Sequence, residues 1–211
     1  MFVNDDDAVP HSSAIYGRLA PAYDKLWPAV AGRRLSDAID SAGVASGDRV
    51  LEVGVGTGAS LKYYPTDCDF TGVDLSESML AEAQRRIEEN RWRHIRLMPM
   101  NAEELEFDDD AFDVVTSFHT ISVVSDPHRM MSEVIRVCRP GGRIVIVNHF
   151  RSTNPLIAGV VDRAGNLTKR LGWRTDLDRD DIFDALPMQL ESQRKPNPLS
   201  LFTVVTARCT K

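Results

Sequence analysis

From residue 50 onward, short runs of apolar, largely β-branched residues alternate with polar stretches rich in helix-forming residues. A continuous apolar run is typical of a strand that is buried on both faces of a sheet. Because helical stretches separate the runs, the pattern predicts a parallel sheet covered by helices on both sides. The predicted strands are Val50–Val53, Phe70–Val73, Ile95–Met98, Val114–Ser117 and Ile144–Val147.

Two of the intervening stretches carry clear signals for a helix. The segment SESMLAEAQRRIEEN has Ser76 at its start, which is a good N-cap, followed by strong helix formers. The segment PHRMMSEVIRVC begins at Pro127, and its apolar residues recur at helical spacing. The RPGG segment that follows, Arg139–Gly142, is predicted to be a turn that leads into the fifth strand.

The rest of the chain adds a hairpin and two amphipathic segments. MQLESQRK and LFTVVTARC are strand-like and are joined by a Pro/Asn-rich loop, so they predict an antiparallel hairpin at one edge of the sheet. AIYGRLAPAYDKLWPAV, interrupted at Pro21 and Pro28, and LIAGVVDRAGNLTKRLGW carry apolar stripes at helical spacing. We therefore predict an N-terminal tail and helical cap over residues 1–34, and a domain over 35–211 with a helical insertion at about 151–186.

Composition restricts the class of protein. The 211 residues are 43% hydrophobic and 27% charged, which suits a globular domain with a core, and the net charge of −6 argues against nucleic acid as a partner. The three cysteines are far apart and form no CxxC, so they predict reduced thiols and neither a disulfide framework nor a metal site. No run approaches 18 apolar residues and the N-terminal residues lack a hydrophobic signal core, so we expect a cytoplasmic protein.

Basic charge is concentrated in the two amphipathic segments. Residues 11–34 have four basic residues against one acidic residue, and residues 151–174 have five against one. Two explanations fit this pattern: both segments are solvated helix faces, or both meet an anionic surface such as a membrane.

The segment RVLEVGVGTGAS places a glycine-rich loop directly after the first predicted strand. Its residues Gly54 to Ala59 fit the G-x-G-x-x-[GA] pattern of nucleotide-binding turns, and Asp74 ends the next strand, where an acid grips ribose hydroxyls. A nicotinamide dehydrogenase has the same features. Glu52 favours a different ligand, because a carboxylate repels a pyrophosphate and attracts an ammonium and a sulfonium. S-adenosylmethionine carries both cations, and its adenosine suits Asp74.

Five segments, VLEVGVGTG, GVDLSESML, MNAEEL, FDVVTSF and RVCRPGGRIVIVNHF, follow one another in the order and spacing of the class I S-adenosylmethionine-dependent methyltransferases. The chain resembles that family from about Tyr16 to Phe150. The resemblance implies a Rossmann-like α/β fold, a mostly parallel seven-stranded sheet with an antiparallel C-terminal hairpin, and a cofactor over the carboxyl ends of the first strands. It implies no metal.

The resemblance also implies cofactor contacts residue by residue. Glu52 and the loop glycines line the methionine end, Asp74 holds the ribose, and Leu75 and Met79 pack on the adenine. Asn101 stands where the family usually has an aspartate, and its amide oxygen still accepts from the adenine amino group. The full implied set is Tyr16, Glu52, Gly54, Gly56, Gly58, Asp74, Leu75, Met79, Asn101, Ala102, Glu103 and Phe118.

The methyl acceptor is suggested by other segments. SFHTISVVSDP lacks the Asn/Asp-Pro-Pro-aromatic loop of base-methylating enzymes, which disfavours a nucleobase. YGRLAPAYDKLW, VNHFRS and RLGWRTDL resemble the small soluble bacterial phosphatidylethanolamine N-methyltransferases. This resemblance implies stepwise conversion of phosphatidylethanolamine toward phosphatidylcholine by an enzyme that binds reversibly to an anionic membrane at its inner face.

Candidate residues for that reaction follow from their chemistry. Ring faces of Tyr16 and Tyr23 suit an ammonium that becomes quaternary, and His119 and His149, just after the fourth and fifth strands, are placed to take a proton. The substrate-binding candidates are Asn148, Arg151, Trp173 and Arg174, with the arginines suited to a phosphodiester. For each of these residues, ordinary packing or surface exposure is the alternative.

Three other functions remain open. A quinone-biosynthesis methyltransferase, acting on carbon or oxygen, shares the N-terminal tyrosine–aspartate segment and the glycine loop. A regulatory protein that senses S-adenosylmethionine without turnover shares the cofactor motifs. The dehydrogenase alternative requires a nicotinamide cofactor, yet the chain lacks the second βαβαβ half that would hold one.

Overall fold

The computed structural model describes residues 28–150, 177, 179–195 and 202–211. The strands are β1 (Arg49–Val53), β2 (Asp69–Asp74), β3 (Ile95–Pro99), β4 (Phe112–Phe118), β5 (Cys138–His149), β6 (Met188–Arg194) and β7 (Phe202–Cys209). The helices are α1 (Pro28–Ala42), α2 (Glu77–Asn90), α3 (Pro127–Val137) and α4 (Arg179–Phe183), with a 3₁₀ turn at Leu61–Tyr63.

These strands form one seven-stranded sheet in the order β3-β2-β1-β4-β5-β7-β6. The first five strands are parallel to one another, and β7 runs antiparallel to both β5 and β6. The predicted fold class, a mostly parallel sheet with an antiparallel pair at one edge, is confirmed. The strand order reverses between β1 and β4, and such a switch point leaves a crevice at the carboxyl ends of the strands.

Two apolar layers enclose the sheet because successive residues of each strand face opposite sides. Leu51 and Val115 pack with α3 and α4 on one side, whereas Val50 and Val114 pack with α1 and α2 on the other. All three cysteines are buried as free thiols, in agreement with the prediction.

The predicted helices are present, with local caps that fix where they begin. The Ser76 side chain accepts a hydrogen bond from the Met79 amide at the start of α2. In α3, Pro127 occupies the first turn, and the Asp126 carboxylate accepts from the amides of His128 and Arg129. The Asp126 cap lies one residue before the predicted start.

Helix α1 begins at Pro28, where the sequence pattern predicts an interruption, and continues to Ala42. A proline is tolerated in the first turn of a helix because the amide that it lacks has no partner there. Residues 35–42 of this helix were assigned to no element from the sequence. Leu35 and Ile39 bury their side chains in the layer on the β1–β4 sheet.

The prediction that Arg139–Gly142 is a turn before the fifth strand is wrong, because these residues belong to β5. Cys138 pairs with Phe112 and Arg143 pairs with Val114, so the four residues between them form an irregularity opposite Asp113. A Cβ on Gly142 would lie 2.8 Å from the Arg139 carbonyl oxygen. The glycines here serve a distorted strand and not a free turn.

Candidate cofactor and active site

The glycine loop lies at the switch point, directly after β1. Gly54, Gly56 and Gly58 all have positive φ angles, of 78°, 54° and 77°. A Cβ on Gly54 would stand 1.9 Å from Thr120 Oγ1, whereas at Gly56 no other heavy atom lies within 4 Å of that position. The loop is therefore closed against β4 at Gly54 and leaves bare backbone open at Gly56.

Asp74 ties the loop to the end of β2. Its Oδ2 accepts from the Gly56 amide at 2.8 Å and its Oδ1 accepts from the Ser76 amide at 2.9 Å. Burial raises the pKa of Asp74, and these backbone amides oppose that effect. A carboxylate has about four lone-pair sites, so both oxygens can still accept from hydroxyls of a ligand.

Next to Asp74, the Leu75 side chain is 66% exposed, which is unusual for a large apolar residue. Met79, one turn into α2, is partly buried. The two residues offer an apolar surface beside a ribose-binding carboxylate, an arrangement that suits a nucleoside.

Glu52 is the most deeply buried acid of the described site, with 2% of its surface exposed. Ser60 Oγ donates to its Oε1 and Tyr64 Oη donates to its Oε2, both at 2.8 Å. Tyr64 Oη also lies 2.7 Å from Thr116 Oγ1. Burial raises the pKa of Glu52 to about 8, because little water is left to solvate its charge.

Ser60, Tyr64 and Thr116 were not identified from the sequence. Thr116 had an available signal, because β1 and β4 are parallel neighbours and Glu52 is in register with it. Ser60 and Tyr64 stand four residues apart after the loop, and only the path of the chain through the 3₁₀ turn brings both to Glu52.

The residues present fit S-adenosylmethionine. Within the described part of the chain, the hydrogen bonds to the Glu52 carboxyl come from two neutral hydroxyls, and no basic side chain pairs with it. A buried acid in this position is favourable when a cation completes it. The open backbone at Gly56 and the apolar Leu75 surface match the remaining parts of the cofactor.

The predicted adenine-side residues follow β3. Asn101 is exposed and its Oδ1 accepts from the Glu103 amide at 3.0 Å, while Ala102 is buried. Glu103 Oε1 accepts from the amides of Ser125 and Asp126, so it holds the segment before α3. Their contact with adenine stays a prediction.

Phe118 and His119 end β4. Phe118 is buried in the layer that also contains α1, while His119 is partly buried and has a positive φ of 64°. The His119 amide donates to the Val147 carbonyl at 2.7 Å, and its ring meets the Phe202 ring edge-on with 4.6 Å between centroids. Thr120, which the sequence reasoning missed, donates from Oγ1 to the Val53 carbonyl at 3.1 Å.

Asn148 lies under this turn, with 0% of its surface exposed. Its Oδ1 accepts from Ser122 Oγ at 3.1 Å. The contact that the structure gives Asn148 is therefore with the turn after β4, and its assignment to substrate stays a prediction.

The other predicted residues are not placed by the structure. His149 ends β5 in register with Phe202, but its side chain is outside the description. Outside the described residues lie Tyr16, Tyr23, Arg151, Trp173 and Arg174.

Two searches of the described residues bear on other chemistry. No group of three or more His, Cys, Asp or Glu side chains within them is arranged to hold a metal ion. The helices in those same ranges are all too short or too polar to cross a bilayer.

Comparison with known proteins gives the family. A family described as "Methyltransferase domain" matches residues 51–146. The phosphatidylethanolamine N-methyltransferase of Cereibacter sphaeroides is 41% identical over 160 residues, which cover 75% of this chain and 79% of that protein. A demethylmenaquinone methyltransferase of Clavibacter sepedonicus is 31% identical over 157 residues, covering 69% of this chain and 60% of that protein.

A solved structure supports the fold. The geranyl diphosphate C-methyltransferase of Streptomyces coelicolor, in a complex that includes S-adenosyl-L-homocysteine, superposes with a TM-score of 0.70 at 18% identity. The match covers 84% of this chain and 75% of that chain. With the glycine loop, the acids after β1 and β2 and the 41% identical relative, these findings lead to one conclusion: the chain belongs to the class I S-adenosylmethionine-dependent methyltransferases.

Proposed function

We propose that this methyltransferase acts on the amine of phosphatidylethanolamine, stepwise toward phosphatidylcholine, at a membrane surface. The observation that carries the proposal is the 41% identity over three-quarters of the chain to a phosphatidylethanolamine N-methyltransferase. Identity to the quinone-related relative is ten percentage points lower over a similar length. The segments VNHFRS and RLGWRTDL point to the same substrate class.

Cofactor binding is the task of the β1 and β2 ends. Glu52 is placed to hold the ammonium of the methionine end, and Asp74 to accept from the ribose hydroxyls, while Leu75 covers the adenine. When bound, S-adenosylmethionine supplies an electrophilic methyl group on a positively charged sulfur. The loop glycines let that ligand approach the backbone closely.

The acceptor nitrogen must be neutral before it reacts. A lipid ammonium resembles lysine, whose pKa is about 10, so a base must take its proton at neutral pH. The nitrogen lone pair then forms the new N–C bond as the C–S bond breaks and its electrons return to sulfur. Each of the three transfers releases one proton, which the base must pass to water before the next.

His119 is our candidate for that base. It follows β4 at the switch point, and the next residue, Thr120, is bonded to the carbonyl of Val53 immediately before the glycine loop. The imidazole titrates near neutral pH, so it can accept and release a proton in each cycle. His149, at the end of the neighbouring strand, is the second candidate.

Methyl-labelled S-adenosylmethionine and vesicles of phosphatidylethanolamine with phosphatidylglycerol test the substrate directly. After incubation the lipids are extracted and separated. We expect label in mono-, di- and trimethylated ethanolamine lipid with the wild-type chain. The variant Asp74→Ala, impaired in cofactor binding, should give little. Absence of label from all three lipids, with cofactor binding intact, would reject the proposal.

A quinone precursor is the second candidate acceptor, favoured by the 31% identity to a demethylmenaquinone methyltransferase. The same labelled cofactor is offered demethylmenaquinone in detergent. Label in the quinone and none in the lipid would replace the proposed function with this one.

A further inference from the structure

We propose that Ser122 and Asn148 are positioning residues that fix the backbone and the ring of His119 at the switch point. This inference rests on the proposed function for the role of His119 as proton acceptor. The arrangement itself can be tested without lipid or cofactor. It gives Asn148 a role beneath the site in place of direct substrate contact.

His119 adopts a backbone conformation that residues with a side chain rarely take. Its φ of 64° lies in the left-handed region, where glycine is at ease and a Cβ is strained. Such strain persists only where surrounding contacts impose it, and it is concentrated at functional sites. The contacts around His119 are therefore the features to examine.

The backbone of His119 is held on both sides. Its amide donates to the Val147 carbonyl of β5 at 2.7 Å. Its carbonyl oxygen lies 3.4 Å from Ser122 Oγ, which is also 3.1 Å from Asn148 Oδ1. Because a hydroxyl has one proton, Ser122 shares it between two acceptors and so links the turn to β5.

Asn148 is a rigid anchor for this link. It is fully buried and is paired with Thr203 in the β5–β7 register, in the middle of the sheet. The neighbouring turn residue, Thr120, is fixed from the opposite direction by its bond to Val53 of β1. The turn thus spans from β1 to β5 and has little freedom to rotate.

The His119 ring is fixed by a separate contact. Its plane meets that of Phe202 at 68°, with 4.6 Å between the ring centroids. Phe202 belongs to β7, so three strands contribute to the position of one imidazole. A base held in this way needs no reordering before it meets the acceptor amine.

The first measurement is the proton NMR signal of the His119 ring in the full-length chain. The Phe202 ring shifts this signal by its ring current, so any movement of the imidazole relative to Phe202 changes the chemical shift. The signal is assigned by its loss in His119→Gln. We expect it to move in Ser122→Ala and Asn148→Ala, and to return in Ser122→Thr, which keeps the hydroxyl.

A matched control is Ser132→Ala. Ser132 Oγ donates to the carbonyl of another histidine, His128, at 2.9 Å on the exposed face of α3. This variant removes the same type of bond without touching the turn, so the His119 signal should stay in place. An unmoved His119 signal in both Ser122→Ala and Asn148→Ala would overturn the inference.

The second measurement is the division of the effect between kcat and KM. We expect Ser122→Ala to lower kcat about tenfold with the KM for S-adenosylmethionine unchanged, because the cofactor residues are untouched. Equal kcat in Ser122→Ala and wild type would also overturn the inference. If the His119 signal moves as expected and no lipid is methylated, the positioning role holds and the proposed substrate fails.

Discussion

The charge of Glu52 depends on what binds beside it. Its carboxyl is enclosed by the hydroxyls of Ser60 and Tyr64, and burial raises its pKa to about 8. Without a ligand the protonated form is therefore stable in the fold at neutral pH. A cation in the site favours the ionised form, so occupancy of the site and the proton on Glu52 are linked.

Stability of the ligand-free protein should carry this signature. An unfolded glutamate has a pKa near 4.5, whereas Glu52 in the fold has a pKa of about 8, so between these values only the folded state keeps the proton. Stability from this residue is complete below pH 4.5 and is lost as pH rises through 8, by up to about 1.4 kcal/mol per pH unit. Urea unfolding of wild type and Glu52→Gln from pH 5 to 8 checks this. Parallel curves would contradict it.

Binding of S-adenosylhomocysteine should release a proton. Its ammonium stabilises the Glu52 carboxylate, so at pH 6.5 we expect calorimetry in two buffers of different ionisation enthalpy to show release approaching one proton per site. The matched ligand is methylthioadenosine, which has no amino-acid part and should release none. In Glu52→Gln the proton release should vanish and the affinity for S-adenosylhomocysteine should fall about tenfold, a change of about 1.4 kcal/mol.

Two glycines of the loop should differ when a methyl group is added. Gly54→Ala places its Cβ 1.9 Å from Thr120 Oγ1, so we expect a loss of about 3 kcal/mol of unfolding free energy. Gly56→Ala meets open space and should cost about 1 kcal/mol through its positive φ. Its methyl group occupies ligand room, so S-adenosylhomocysteine affinity should fall. Equal stability of the two variants in urea would contradict this assignment.

At the scale of elements, the strands and two helices were predictable because their patterns are long and their caps are local. The cofactor loop was also predictable, since glycines at fixed spacing after an apolar run have few other uses. The partners of Glu52 and His119 were not, because Tyr64, Thr116 and Ser122 reach them only through packing between distant segments. The RPGG segment misled because its glycines serve a strand irregularity and a turn equally well.

Helix α3 provides a prediction at this scale. The Asp126 carboxylate accepts from two amides in the first turn, so Asp126→Ala should lower the unfolding free energy by about 1 kcal/mol. Asp126→Ser keeps an acceptor and should lose less than half of that. Urea unfolding of the three chains decides the matter, and an Ala variant as stable as wild type would count against the cap.

At the scale of the whole molecule, the uneven distribution of charge is the feature to explain. The chain carries a net charge of −6, yet residues 11–34 and 151–174 are both basic. If the enzyme works on a lipid, these segments are suited to bring an acidic body to an anionic surface. Membrane binding of this kind is reversible and is weakened by salt.

Co-sedimentation with vesicles tests that property. We expect binding to phosphatidylethanolamine vesicles that contain phosphatidylglycerol, weaker binding without it, and loss of binding at about 1 M salt, where the screening length falls to about 3 Å. Lys169→Glu with Arg170→Glu should reduce binding. The control, Arg93→Glu with Lys195→Glu, changes the net charge equally at exposed positions of the described domain. Identical behaviour of the two double variants would argue against the basic segments.

The strand order also has a consequence for how the chain folds. β7 is made after β6 but lies between β5 and β6, so β6 has no neighbour to pair with while it leaves the ribosome first. Until β7 arrives, β5 keeps an open edge of unpaired backbone groups, the kind of edge that promotes aggregation. Protection of β5 and β6 amides from hydrogen exchange should therefore arise in one step, when β7 closes the gap during synthesis.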